Sequence, residues 1–203
     1  METFKENLIK KLGEEGFGKV QAARVGIAGL GGLGSNCVLN LVRVGFSKLT
    51  IIDFDIVTAA NLDRQFYFID QVGLPKVDAL CENLLRVNPE LELTLRIERI
   101  EKDNIAHLFK ECDIVAECFD RAEYKSMLVE ELLSLGKFIV SASGLAGIGK
   151  SDEIKVHKIK NNLVMIGDLE SDISKNPPLS PRVNVAAAKQ ADTILDYVLN
   201  NRE

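Results

Sequence analysis

The stretch Val25-Gly-Ile-Ala-Gly-Leu-Gly-Gly-Leu-Gly-Ser35 decides the fold of this chain. Its apolar start has the length of a buried strand, and the glycines that follow precede a helical pattern. Glycines in a Gly-x-Gly-x-x-Gly turn let the backbone bend tightly, approach a phosphate closely and direct free helix N–H groups at negative charge. We therefore assign Gly29, Gly31, Gly32 and Gly34 to nucleotide binding, although the turn alone does not identify the nucleotide.

Apolar runs of strand length alternate with helical patterns along the rest of the chain. This alternation is typical of a parallel sheet that helices cover on both faces. The predicted parallel strands cover residues 25–30, 49–53, 91–97, 114–118 and 138–143. After Gly144, residues 154–159 and 163–166 flank an Asn-Asn turn and predict an antiparallel pair. The sequence thus predicts an α/β fold: a doubly wound, mostly parallel Rossmann-like sheet with a C-terminal antiparallel extension and a final helix over residues 183–199.

Local signals predict where helices begin and which residues they bury. Ser35 or Asn36 is placed to cap the helix after the glycine turn. Pro75 suits the start of a second helix, because its missing N–H has no helical partner there. The buried stripe predicted for that helix consists of Val77, Leu80, Cys81 and Leu84. The inward face of a later helix is predicted to carry Tyr124, Leu128, Leu132 and Leu135.

The length of 203 residues suits one globular domain better than two. Apolar residues recur at roughly helical spacing from Phe4 to Phe17 and predict an amphipathic N-terminal helix over residues 1–20. We expect a single nucleotide-binding domain over residues 21–203. Packing of the N-terminal helix on that domain is the simpler interpretation, and a dimer contact is the alternative.

Composition disfavours several classes of partner. The net charge is -5 and the isoelectric point is about 5.3, which argues against nucleic acid because binding to its phosphates requires a basic face. We find neither a secretory signal pattern nor an apolar run near the ~20 residues that span a bilayer, so we expect a soluble, cytoplasmic protein without membrane partners. The 4 cysteines form no Cys-x-x-Cys pair. We therefore expect no zinc, and we interpret each cysteine as a small buried apolar residue.

Carboxylates, amides and cations follow the second predicted strand. Asp53 is placed at the strand end to accept hydrogen bonds from ribose hydroxyls, which fits NAD as well as ATP. The segment beyond Asp55 adds two amides and two cations, namely Asn61, Gln65, Arg64 and Lys76. An isolated Arg or Lys is usually a solvated surface charge. Together, however, forked arginine donors and a compact lysine charge suit a triphosphate whose leaving group must be neutralised.

Asp120 directly follows the fourth predicted strand. The carboxyl ends of parallel strands meet at one edge of such a sheet, where ligands bind. A carboxylate there can hold Mg²⁺ on substrate phosphates, because Mg²⁺ keeps several waters and takes only one or two carboxylates. Capping of the next helix is the alternative role for Asp120. The neighbouring cations and amides favour magnesium binding.

A set of short motifs runs through the chain from the glycine turn onward. It consists of Gly29–Ser35, Asp53–Val57, Asn61–Gln65, Gly73–Val77, Arg86–Pro89, Cys118–Lys125, Gly167–Asp168 and Ser180–Arg182. Together these motifs resemble the ThiF/MoeB/HesA (ubiquitin-activating-enzyme-like) adenylating superfamily. They are most similar to its short ThiF-type members, the sulfur carrier protein ThiS adenylyltransferases. The resemblance covers about residues 20–200.

The resemblance implies an enzyme that uses Mg²⁺ and ATP. ATP would bind over the glycine turn, with Asp53 at the ribose and Asp55 among the nucleotide-binding residues. The phosphates would be held by Asn61, Arg64, Gln65 and Lys76. Asp120 would hold Mg²⁺ and would count, with Arg64 and Lys76, as catalytic. The substrate would be a small ubiquitin-like, ThiS-like sulfur carrier of thiamine biosynthesis that ends in Gly-Gly, and the enzyme would be a homodimer.

The chain departs from longer members of the superfamily. It lacks paired Cys-x-x-Cys zinc motifs, and the connection over residues 168–181 contains no cysteine where related enzymes can carry a catalytic one. The resemblance therefore does not extend to a thioester or persulfide step. An arginine-rich N-terminal segment is also missing, and Lys10, Lys11 or Arg24 are the candidates to replace it. The alternative functions are an NAD-dependent Rossmann oxidoreductase and a non-catalytic carrier-binding scaffold.

Overall fold

A seven-stranded sheet forms the centre of the computed structural model, which describes residues 2–201. The strands are β1 Arg24–Ala28, β2 Lys48–Ile52, β3 Glu92–Arg96, β4 Ile114–Glu117, β5 Phe138–Ala142, β6 Lys155–Lys160 and β7 Leu163–Gly167. Their order across the sheet is β3-β2-β1-β4-β5-β7-β6. Neighbouring strands are parallel apart from β6 and β7, which are antiparallel. The winding reverses between β1 and β4, so a crevice opens there at the carboxyl ends of the strands.

Six α-helices connect and cover the strands within the described residues. They are α1 Phe4–Ala22, α2 Gly32–Arg43, α3 Lys76–Leu85, α4 Ile105–Leu108, α5 Ala122–Ser134 and α6 Ser180–Asp196. A π-helical turn, Tyr197–Asn201, continues α6. Short 3-10 turns lie at Ala59–Asn61, Ile69–Gln71 and Ser151–Glu153.

Each face of the sheet buries its own apolar cluster. On one face, residues such as Ile27 of β1 pack with Leu41 of α2 and Ile194 of α6. On the other face, Val115 of β4 packs in a cluster with Leu128 of α5. Side chains of one strand alternate between the two faces, so a strand covered on both sides must be apolar throughout. This requirement explains the continuous apolar runs that reveal the central strands in the sequence.

The predicted fold class is confirmed, including the antiparallel pair and the final helix. The predicted helix cap at Ser35 or Asn36 is wrong, because α2 begins earlier, with Gly31 in the capping position and no side-chain cap. Ser35 and Asn36 are instead the fourth and fifth residues of α2. Ser35 Oγ donates to the Gly31 carbonyl at 2.7 Å, and Asn36 Nδ2 donates to the Gly32 carbonyl at 2.7 Å. The helix therefore presents glycine backbone, and no capping side chain, at its start.

Two residues that were predicted to face inward, one on α3 and one just after α5, are not fully buried. Cys81 is only half-buried, because it lies on the flank of the stripe that Val77, Leu80 and Leu84 form on α3. Leu135 is 46% exposed, because α5 ends at Ser134 and the residue after it no longer lies on the buried helical face.

The N-terminal segment forms α1, which is interrupted at Gly13, where a φ of 74° leaves the helical range. The buried residues Leu8 and Phe17 lie against the turn after α2. A Cβ added to Gly45 in that turn would be 3.2 Å from Leu8 Cδ1 and 3.5 Å from Phe17 Cε2. The helix thus packs on the same chain, as the simpler interpretation expects.

The division into an N-terminal helix over residues 1–20 and a domain over residues 21–203 stays a prediction. Met1, Arg202 and Glu203, which those ranges include, lie outside the described residues. Within residues 2–201, none of the helices combines the length and the apolar character that crossing a membrane requires.

Candidate functional site

A cleft of about 1040 Å³ opens at the carboxyl ends of the central strands. The predicted site residues that line it are Gly29, Gly31, Gly32, Asp53, Asp55, Asn61, Arg64, Gln65, Lys76 and Asp120. Gly34 does not line the cleft and lies within the packed turn. The structure therefore brings together the residues that the sequence analysis assigned to one site.

The glycine turn is packed so closely that it excludes side chains at specific positions. A Cβ on Gly34 would lie 1.9 Å from the Gly29 carbonyl oxygen, and Gly29 itself has a φ of 89°. At Gly32, a Cβ would lie 2.9 Å from Val183 of α6. Gly31 has more room, since the nearest atom to a Cβ there is 3.9 Å away. The turn leads directly into α2, whose first N–H groups have no helical partner and suit an anion in the cleft.

Asp53 lies at the end of β2 and is 8% exposed. Its Oδ2 accepts from the Leu30 N–H at 2.6 Å, and its Oδ1 accepts from the Asp55 N–H at 2.8 Å. A carboxylate has about four acceptor positions, so two protein bonds leave capacity for a ligand hydroxyl. The Tyr67 hydroxyl donates to the Leu30 carbonyl at 2.8 Å and holds the turn from the other side. Burial, together with Asp53 and Asp55, raises the pKa of Tyr67 and keeps it a neutral donor.

Lys76 and Asp55 form an ion pair that sequence reasoning did not anticipate. Lys76 is 6% exposed, and its Nζ lies 3.0 Å from Asp55 Oδ2. The Lys76 N–H also donates to the Asp55 carbonyl at 2.9 Å, just after Pro75 at the start of α3. Burial of a charged group costs free energy unless the group is paired and hydrogen-bonded, as it is here. The Asp55 side chain is 50% exposed, so this charge pair borders the open cleft.

The segment after β2 carries the other cation and both amides. Asn61 Oδ1 accepts from the Thr58 N–H at 2.9 Å and closes a 3-10 turn. Arg64 Nη1 donates to Asp63 Oδ1 at 2.6 Å, and the Arg64 side chain is 26% exposed. Gln65 Oε1 is buried and has no hydrogen-bond partner among the described residues. An unpaired buried amide oxygen costs about 1–3 kcal/mol, so this acceptor fits a site that a hydrogen-bond donor completes, whereas the Gln65 amide N–H groups could donate to phosphate.

Asp120 is exposed at the cleft and makes no hydrogen bond or ion pair with another residue of the described chain. The alternative capping role is not observed, because Arg121 occupies the capping position of α5 and no side-chain cap bond forms. Within residues 2–201, no group of three His, Cys, Asp or Glu side chains is arranged to hold a metal ion. A single available carboxylate fits Mg²⁺ that takes its other ligands from phosphate and water.

A fully buried carboxylate, Glu117, lies directly before this segment and was missed in the sequence. Its Oε1 accepts from the Phe119 N–H at 2.7 Å, and Lys125 Nζ lies 3.0 Å from its Oε2. The Ser141 hydroxyl donates to Oε2 at 2.5 Å. The available signal was an acidic residue inside an otherwise apolar strand, followed by a lysine in the next helix. Lys125 also lines the cleft.

Asp168 and Arg182 join two connections beside the cleft. Asp168 Oδ2 accepts from Arg182 Nη2 at 2.5 Å, and Arg182 Nη1 donates to the carbonyls of residues 149–150 at 2.7 and 2.8 Å. Burial favours the neutral form of Asp168. Hydrogen bonds from the Ser171 and Glu170 N–H groups and the charge of Arg182 outweigh burial and lower the pKa of Asp168. The pair therefore ties the connection after β5 to the connection after β7.

The cysteines are not prepared to act as nucleophiles. Burial raises the pKa of Cys37 to about 12 and holds the pKa of Cys118 well above its ordinary value. The thiolate is the reactive form, so both thiols stay neutral. The expected burial holds for Cys37, Cys112 and Cys118, whereas Cys81 is half-buried.

Known sequences are similar to this chain over most of its length. The profile of the ThiF family matches residues 4–197. Adenylyltransferase and sulfurtransferase UBA4 from Eremothecium gossypii is 33% identical over 150 residues, which are 73% of this chain and 33% of that protein. Molybdopterin-synthase adenylyltransferase from Haemophilus influenzae is 27% identical over 170 residues, which are 83% of this chain and 69% of that protein. This chain thus spans only 33% of the length of the UBA4 relative.

Solved structures share the fold. E. coli tRNA N6-threonylcarbamoyladenosine dehydratase, TcdA, in complex with AMP, aligns with a TM-score of 0.87 at 20% identity and covers 95% of this chain and 92% of that chain. E. coli MccB with ATP aligns with a TM-score of 0.72 at 24% identity and covers 93% of this chain and 60% of that chain.

Proposed function

The chain belongs to the ThiF family, and from that premise we propose that it is an ATP-dependent adenylyltransferase. Its substrate would be the C-terminal glycine carboxylate of a small ubiquitin-like sulfur carrier. The proposal rests on one observation: a glycine turn, a carboxylate at the end of β2 and the cations Arg64 and Lys76 line the same cleft. An NAD-dependent oxidoreductase would need the turn and Asp53, but it would leave both cations without a role.

In the proposed reaction, a carboxylate oxygen of the carrier attacks the α-phosphorus of ATP. The bond from the α-phosphorus to the bridging oxygen breaks, and the electron pair leaves with pyrophosphate. The products are a carrier acyl adenylate and pyrophosphate. The carboxylate is already ionised, so no general base is needed. The protein contributes orientation and neutralisation of the charge that develops on the leaving group.

Different residues of the cleft would bind different parts of MgATP. The glycine turn and the start of α2 would receive phosphate oxygens, and Asp53 would accept from the ribose. Arg64 and Lys76 would neutralise the departing pyrophosphate, with the amides of Asn61 and Gln65 as further donors. Asp120 would hold Mg²⁺, which when bound supplies additional positive charge at the phosphates.

The favoured carrier is ThiS-like, ends in Gly-Gly and serves thiamine biosynthesis. A carrier of the molybdopterin-synthase system is the second candidate, because a molybdopterin-synthase adenylyltransferase is 27% identical over 83% of the chain. The connection over residues 168–181 contains no cysteine, and burial keeps Cys37 and Cys118 protonated. We therefore assign sulfur transfer to another protein. The homodimer, the cytoplasmic location and the absence of zinc stay predictions.

Mass spectrometry of the carrier tests the proposal. We would incubate the chain with MgATP and, separately, a ThiS-like carrier and a carrier of molybdopterin synthase. The expected result is an AMP adduct on the C-terminus of the ThiS-like carrier, which disappears when its last two glycines are deleted. Adduct on the other carrier alone would correct the carrier assignment. Binding of a carrier without any ATP consumption would instead support the scaffold alternative.

A further inference from the structure

We propose that Glu117 is a positioning residue that holds the segment 118–121 so that Asp120 faces the phosphates and Mg²⁺ of bound ATP. This inference rests on the proposed function for the identity of the ligand. Glu117 itself does not line the cleft, whereas Asp120 and Lys125 do. Its influence on the ligand would therefore be transmitted through the chain that follows β4.

The bonds of Glu117 connect three parts of the structure. Its carboxylate has no exposed surface and accepts from the Phe119 N–H, the Lys125 ammonium group and the Ser141 hydroxyl. Phe119 belongs to the segment before Asp120, Lys125 to α5 and Ser141 to β5. A single side chain thus fixes the end of one strand relative to its neighbour and to the helix that follows.

The bond from the Phe119 N–H to Glu117 joins residues two positions apart and lies between the end of β4 and the bend of the chain at residues 120–121. Two further bonds hold the peptide group between Glu117 and Cys118. The Cys118 N–H donates to the Ala28 carbonyl at 3.0 Å, and Gln190 Nε2 donates to the Glu117 carbonyl at 3.0 Å. Asp120 is the next residue and has no protein partner of its own among the described residues. The bond from the Phe119 N–H to Glu117 therefore fixes the backbone immediately before Asp120.

Stability alone is a weak explanation for this arrangement. A buried ion pair contributes little compared with apolar residues of the same volume, because both charges lose their hydration. The Glu117 carboxylate, which pairs with Lys125, also accepts the Phe119 N–H just after β4. An apolar residue at this position could not make that bond. Residues that support metal ligands in this way typically change metal affinity about 10–100-fold when mutated.

The test compares ATP binding with and without Mg²⁺ in the wild type, E117Q, D120N and the double variant. The proposal predicts that Mg²⁺ tightens ATP binding in the wild type and that E117Q reduces this tightening about tenfold. Mg²⁺-free ATP binding should change little. In the D120N background, E117Q should have no further effect on the Mg²⁺ dependence, because both changes act on one interaction. If the effects of E117Q and D120N on the Mg²⁺ dependence were fully additive, Glu117 would have a purely structural role. The same would follow if E117Q weakened ATP binding equally with and without Mg²⁺.

Leu132→Ala is the matched control for lost stability. Leu132 is a fully buried residue of α5 that does not line the cleft, so its truncation should lower Tm and leave the Mg²⁺ effect intact. Ser141→Ala, which removes one donor to Glu117, provides a milder variant should E117Q not fold. It should reduce the Mg²⁺ effect in the same direction, and an unchanged effect in a folded S141A protein would overturn the proposal.

Hydrogen exchange in the nucleotide-free protein separates this inference from the proposed function. E117Q should accelerate exchange at the Phe119 amide, and an unchanged rate would overturn the positioning role whatever the ligand is. A wild type in which Mg²⁺ has no effect on ATP binding would contradict the magnesium assignment of the proposed function. The exchange rate at Phe119 would then alone decide whether Glu117 holds the segment.

Discussion

At the scale of single residues, the two cations of the cleft are held differently. Lys76 is 6% exposed and depends on Asp55, so its removal leaves a carboxylate without its partner. Arg64 keeps 26% of its side chain exposed and pairs with Asp63 at the surface, where an ion pair contributes little stability. Arg64 therefore gives the cleaner test of phosphate binding.

Arg64→Ala should lower the rate of carrier-dependent ATP–pyrophosphate exchange about 10²-fold. The reason is the loss of a fixed donor to a leaving group whose charge grows in the transition state. Tm should stay within about 4 °C of the wild type, because Arg64 is only half-buried and pairs with the exposed Asp63, so its loss should cost about 1 kcal/mol or less. Arg43→Ala, at the exposed far end of α2, is the control and should keep full exchange. Normal exchange in R64A would show that the phosphate assignment is wrong.

Alanine substitutions at Gly31 and Gly34 should have opposite effects on folding. Gly34→Ala should prevent stable folding or greatly lower Tm, because the new Cβ would lie 1.9 Å from the Gly29 carbonyl oxygen. Gly31→Ala should fold normally, since the nearest atom would be 3.9 Å away, yet weaken ATP binding by placing a methyl group at the cleft. Thermal unfolding and ATP titration check both variants. A G31A protein that binds ATP normally would place the phosphates elsewhere.

At the scale of elements, Asp168 and Arg182 secure the connections that follow β5 and β7. Gly144 permits this approach, because a Cβ there would lie 2.1 Å from Asp168 Oδ1. Arg182 is 4% exposed, and its guanidinium group uses the carboxylate of Asp168 as its counter-charge. The side wall of the cleft thus depends on one ion pair whose carboxylate can be titrated.

Asp168→Asn should lower the free energy of unfolding at pH 7 by about 3 kcal/mol, because Arg182 loses its buried counter-charge. The pKa of Asp168 is lowered in the folded protein. Its contribution is therefore fully present above the unfolded pKa of about 3.9 and is lost as the pH falls through the folded pKa. Urea unfolding should show that the curves of wild type and D168N converge towards acid pH. Parallel curves would contradict this, and the exposed Asp152→Asn provides a control.

Elements and site were predictable from the sequence to different degrees. The central strands were found because burial on both faces requires continuous apolar runs, and the cleft residues were found because they follow strand ends. The cap at Ser35 failed because backbone glycine occupies that position in the turn. The partners of Lys76 and Glu117 were missed, because Asp55 and Ser141 approach them only through the tertiary fold. Sequence spacing carries no information on such contacts.

At the scale of the whole molecule, the order β3-β2-β1-β4-β5-β7-β6 gathers the candidate site at one edge of the sheet. Segments that lie far apart in sequence, such as the glycine turn, Asp120 and the connection over residues 170–173, border the same cleft. The proposed reaction requires this cleft to admit both a nucleotide and an extended peptide end. The central claim is that this cleft joins them.

ATP–pyrophosphate exchange with a ThiS-like carrier tests that claim most directly. Labelled pyrophosphate should enter ATP only when the chain, Mg²⁺ and a carrier with its C-terminal Gly-Gly are all present. Exchange should fall to background when the diglycine is deleted. Background exchange with intact carriers of both the thiamine and molybdopterin-synthase types, under conditions where the chain is folded and binds ATP, would contradict adenylyltransferase activity in this cleft.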